Sequence, residues 1–208
     1  MHDAARFPPH WPNWLQKEIW PQIQTMMLYD AYFKLFGRAR EITGQFNGQI
    51  ASLMESGYVT FQTVAIRRLC DDRRDVISLR RLLREARQYD STFVKQLLQE
   101  LDRCNHVIDL VNDYVAHTAN PDRKREAAEW NLQVRHLTDA QKAICEVALK
   151  FDRDLLQRRN FVMIIPVVEG DIMRDFRLWV PNDAISKLYE FWHAHNRSVN
   201  AWCGTSFI

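Results

Sequence analysis

The chain has 208 residues, 47% of them hydrophobic and 26% charged, with a net charge of +2. That balance excludes large-scale disorder, and so small a net charge neither requires nor excludes a nucleic-acid partner. No apolar run approaches the ~18 residues that cross a bilayer, and 6 glycines with 7 clustered prolines favour long helices over a many-turned β fold.

Residues 1–13 read as an irregular arm rich in proline and aromatic residues. Their sequence, MHDAARFPPHWPN, has no basic segment followed by an apolar core, so no signal peptide is expected. A helical pattern begins at Asn13, and Pro21 suits the first turn of a second helix starting near Trp20. Ile23, Met26, Met27, Phe33 and Phe36 give that helix an apolar side, with Gly37 or Gly44 as its interruption. The next helix spans about Gly48 to Asp71, with Ile50, Leu53, Met54, Phe61, Val64, Ala65 and Leu69 at spacings of three and four. DDRRDVIS breaks the pattern, and Ser78 is a natural N-cap for LRRLLREAR because its hydroxyl can accept a free first-turn N–H.

From Ser91 a longer helix carries Val94, Leu97, Leu101, Cys104, Ile108, Val111 and Val115 on one side, with a bend expected near RCNH. Residues 118–126 form a turn signalled by Asn120-Pro121. Thr138 and Gln141 fit a capping box for a helix running to about Arg158. Residues 161–181 open with an apolar, β-branched run broken by Pro166 and read as an extended, partly β-like connection. A last helix is expected from Asp183 to Trp202. The expected fold is all-α, a single-domain helical bundle over 1–208.

Four cysteines lie at 70, 104, 145 and 203, too far apart in sequence for a CxxC pair, which speaks against a structural zinc site. No cofactor is implied, since GxGxxG, GxxxxGK[ST] and HExxH are all missing. With no CxxC pair, no leader and no apolar span, the expected protein is cytoplasmic, with reduced thiols and no membrane partner.

Two stretches can carry chemistry. The first, LVNDYVAH, places Asn112 and Asp113 one turn before His117. RNA is cleaved without a metal when a base takes the 2′-hydroxyl proton and a cation stabilises the charge on phosphorus, roles suited to histidine and arginine. The alternative is structural: Asp113 pairs with His117, and His117 favours the helix C-terminus. The second stretch, residues 66–87, holds eight arginines against Asp71, Asp72, Asp75 and Glu85. Arg67, Arg68, Arg73, Arg74, Arg80 and Arg81 could hold an RNA backbone, or the block could be an ion-paired corner. His193 and His195 point to different helix faces, His136 has no evident partner, and the seven tryptophans suit a core or a homodimer face.

AIRRLCDDRRDVISLRRLL at 65–83, followed by VNDYVAHTANPD at 111–122, resembles the HEPN superfamily, most closely its abortive-infection U-type branch. The resemblance covers about residues 50–160. It implies an all-α bundle, homodimerisation, and metal-independent RNase activity from an Arg, a polar residue and a His four to six residues after the Arg. It also implies phage defence or stress biology, with an antitoxin or other protein as partner. Carried across, His117 matches the histidine and Asp113 the polar residue, while Asn112 stands where the family has arginine. A neutral amide can hydrogen-bond a phosphate but supplies no charge, so a non-catalytic interaction or regulatory module stands beside the RNase reading.

Overall fold

The computed structural model describes residues 7–45, 48–116, 133–158, 164–165 and 169–202, with backbone alone at 111–116 and 169–172. Among them every regular element is helical, as the apolar periodicity predicts. The helices are α1 (His10–Trp14), α2 (Trp20–Thr43), α3 (Gln49–Leu69), α4 (Leu79–Ala86), α5 (Ser91–Leu101), α6 (Asn105–Ala116), α7 (Val134–Lys150), α8 (Glu169–Phe176) and α9 (Asn182–Ala201). They fall into two compact units where one domain is expected: Met1–Ile23 with Gln62–Phe161, and Gln24–Phe61 with Val162–Ile208.

In the first unit α1 runs into a π-helical turn, Leu15–Ile19, where the Trp20 N–H reaches back to the Leu15 carbonyl. Pro21 follows directly; it lacks an N–H and its ring would crowd the preceding turn, and the widened turn accommodates it. Part of the expected irregular arm is therefore helical. Its anchor is Glu85, whose Oε2 accepts from the Trp11 indole at 3.2 Å and lies 3.2 Å from His10 Nε2, while Oε1 accepts from Arg81 Nε at 3.1 Å. Burial works to raise the Glu85 carboxyl, and hydrogen bonds from His10, Trp11 and Arg81 outweigh it, leaving its pKa below the ordinary value.

Ser78 caps α4 by accepting the Arg81 N–H at 3.1 Å, and its own hydroxyl donates to the Asp71 carbonyl. Asp90 caps α5 through the Phe93 N–H at 2.9 Å. The expected bend is a 3₁₀ turn, Asp102–Cys104, between α5 and α6. α7 begins four residues before the expected capping box. Thr138 instead bonds back to the Val134 carbonyl at 3.2 Å from inside the helix, and Gln141 is buried, donating to Gln62 Oε1 at 3.0 Å. The core of this unit is built from Trp11, Leu15, Ile66, Leu82, Leu97, Ile144 and Phe151, all fully buried or nearly so.

In the second unit Met27, Ala31, Leu35 and Ala39 step by four along α2, and all are buried. Gly37 does not interrupt this helix. Gly44 ends it at φ +66°, the left-handed conformation glycine adopts without penalty, with its N–H on the Arg40 carbonyl at 2.8 Å. The expected extended connection at 161–181 is corrected by α8. This helix carries Arg174 in its last turn, where a cation suits the helix dipole. Residues 159–163 and 166–168, where that run mostly lies, are outside the described residues. Trp192, Leu188, Met173 and Ile164 complete this core.

Candidate functional site

Asn112 and Asp113 lie on the backbone of α6, and His117 lies outside the described residues. The arginine block is described in full. Arg80 is mostly buried and donates through Nη2 to Asp102 Oδ1 at 3.1 Å and Asn105 Oδ1 at 3.2 Å. Arg81 pairs with Glu85, donates to the Val76 carbonyl at 3.2 Å and stacks its guanidinium 4.6 Å from the Trp14 ring. Arg84 holds Asp72 at 2.9 Å, and Arg73 holds Asp71 at 3.0 Å. These four build the corner.

Arg67, Arg68 and Arg74 differ. All three are exposed, and among the described residues no carboxylate lies within 4.0 Å of any of them. Arg67 and Arg68, at the C-terminal end of α3, line an open groove with Arg73, Gln22 and Val76. Glu18, Asp71 and Asp75 also line it, but Asp71 is engaged by Arg73. Two adjacent guanidiniums on one wall, without a carboxylate partner among the described residues, can take bidentate contacts from successive phosphates.

A second polar groove of the same unit was not apparent from the sequence. It is lined by Arg103, His106, His136, Asp139 and Lys142. The imidazoles of His106 and His136 meet edge to face, with centroids 4.7 Å apart. His136 therefore has the partner that its sequence neighbourhood does not suggest. The steps of three, 103 to 106 and 136 to 139 to 142, are the available signal, since they put each set on one helical face.

The second unit holds a different cluster. Asp30 is fully buried. Its Oδ1 accepts from the Tyr58 hydroxyl at 2.6 Å, its Oδ2 accepts from Lys34 at 2.7 Å, and His195 Nε2 lies 3.6 Å from Oδ2. Burial, reinforced by Lys34, lowers the His195 pKa to about 4, against the opposing pull of Asp30. Tyr58 stacks on Phe33 at 3.8 Å, and both line an apolar groove with Tyr29, Tyr32, Leu53 and Met54. Leu53 is 72% exposed and Ile50 54% exposed, so the first half of the expected apolar stripe of α3 faces solvent.

Among the described residues, no group of three or more His, Cys, Asp or Glu side chains is placed to hold a metal ion, and no helix is long and apolar enough to cross a membrane. Compared with known protein families, curated proteins and solved structures, the chain matches none.

Proposed function

We propose that this chain is a HEPN-like, RNA-contacting helical protein of prokaryotic defence or stress type, acting on cytoplasmic RNA. The observation that carries the reading is the pair Arg67 and Arg68, adjacent, exposed and without a carboxylate partner among the described residues, on the wall of a groove. Guanidinium groups held in this way supply the sequence-independent attraction to an RNA backbone. Arg80 and Arg81 belong to the same block but serve the fold, and position the turn that presents the other two.

In the catalytic form of this reading His117 moves the proton, Asp113 orients it, Asn112 hydrogen-bonds the phosphate, and an arginine of the 67–74 segment replaces the charge that Asn112 lacks. The test is incubation of total RNA and tRNA with the protein in EDTA, beside His117→Ala. Cleavage that survives EDTA and disappears in the variant supports a metal-independent RNase. RNA retained without cleavage supports a binding protein, in which Asn112→Arg should then raise cleavage. Neither cleavage nor retention by the folded protein refutes the reading.

The exposed aromatic groove of the second unit favours a second reading, a protein-interaction module that forms a homodimer or holds an antitoxin-like partner. Exposed Leu53 and Met54, lining the groove with stacked Phe33 and Tyr58, are the kind of apolar patch that marks an interface. Sedimentation of wild type and Leu53→Glu tests the homodimer: a dimer that the variant dissociates supports it, and a wild-type monomer at all concentrations refutes it.

A further inference from the structure

We infer that the groove lined by Arg103, His106, His136, Asp139 and Lys142 is a binding site for a phosphate group in singly charged, diester form. The site stands on its own geometry and rests on the RNA reading only for the source of that phosphate.

The Gln133 N–H points at His136 Nδ1 at 3.3 Å, which makes Nδ1 the acceptor. In the neutral ring the proton then sits on Nε2, leaving that nitrogen as a donor. The His106 ring lies against His136 and is exposed, with no hydrogen-bond partner among the described residues. Arg103 is exposed and has no carboxylate within 4.0 Å among the described residues. Lys142 has only a long approach, 3.8 Å, to Glu146. Two cations and two imidazoles thus share one groove with one carboxylate, Asp139.

That composition selects the ligand. With Glu146 set against Lys142 and Asp139 against Arg103, the fixed charges around the groove balance, which suits a singly charged phosphodiester better than a dianionic monoester. Guanidinium, ammonium and imidazole N–H groups are the donors that tetrahedral phosphate oxygens accept. The alternative, a metal site, lacks support, because the described residues offer no third suitably placed ligand.

The test uses the full chain and follows the imidazole signals of His106 and His136 by NMR. Inorganic phosphate and a short single-stranded RNA are titrated separately, with sodium chloride at matched ionic strength as control. The expected result is that RNA shifts both histidines and that Arg103→Gln/Lys142→Gln weakens this about tenfold or more, since charge-assisted contacts are lost. Both substituted residues are exposed, and the backbone spectrum of the variant verifies the fold. Shifts with phosphate but not RNA would overturn the diester proposal, leaving a site for small phosphates only. Shifts with RNA but not phosphate would support the diester preference. No shift of either histidine with either probe, or shifts equally strong in the double variant, would overturn the proposal.

Discussion

Tyr58 donates its hydroxyl proton to Asp30 Oδ1 across 2.6 Å and so joins α3 to α2 within the second unit. The carboxylate is fully buried, so removing a donor leaves part of its charge unsatisfied. Tyr58→Phe should lower the unfolding free energy by about 1–3 kcal/mol. Asp30→Ala should cost about 3–5 kcal/mol because it strands Lys34 and Tyr58 together. Chemical denaturation measures both, and an unchanged midpoint in either variant would contradict this role.

His195 makes the same network pH-sensitive. Its pKa falls from 6.5 to about 4 on folding, so between those values the unfolded chain binds the extra proton. Its contribution is complete above pH 6.5 and is lost as pH falls toward 4, amounting to about 3 kcal/mol. Unfolding measured across this range should lose part of its pH dependence in His195→Phe. An NMR titration that places the His195 pKa near 6.5 or above would refute the account.

Cys70 and Cys104 are buried in the first unit, and the neighbouring Cys70 thiol together with burial pushes the Cys104 thiol well above its ordinary pKa. Burial shields both sulfurs from reagent, so alkylation of both should await unfolding. Rapid modification of either cysteine in the native protein would contradict the packing described.

The arginines of one block should separate by phenotype. Arg80→Ala breaks contacts with Asp102 and Asn105 from a mostly buried position and should lower the melting temperature. Arg67→Gln and Arg68→Gln should leave stability within about 0.5 kcal/mol, as exposed substitutions do. A thermal scan showing the reverse order would remove the distinction on which the RNA reading depends.

Much of this fold is legible in the sequence. Period-three and period-four apolar steps locate α2, α3 and α5, and Ser78 marks the start of α4. The start of α7 is misread because Thr138 and Gln141 copy the letters of a capping box, although the box that starts the helix is Gln133 with His136, one turn earlier. Ile50, Leu53 and Met54 fit a core stripe by spacing, but spacing does not tell a buried face from an exposed apolar one. In the arginine block, residue type alone cannot separate guanidiniums engaged by carboxylates from those left open. That depends on which acids the turn brings within reach. The pairing of His106 with His136 joins positions thirty residues apart and has only a weak local signal.

The most direct test of the central claim is the salt dependence of single-stranded RNA binding, by fluorescence anisotropy, for wild type and Arg67→Gln/Arg68→Gln. Each phosphate contact contributes about 0.7 to the slope of log affinity against log salt. The double variant should bind more weakly at low salt and show a slope smaller by about 1.4. Equal affinity and an equal slope in the two proteins, or no RNA binding by either, would contradict the claim that this groove holds an RNA backbone.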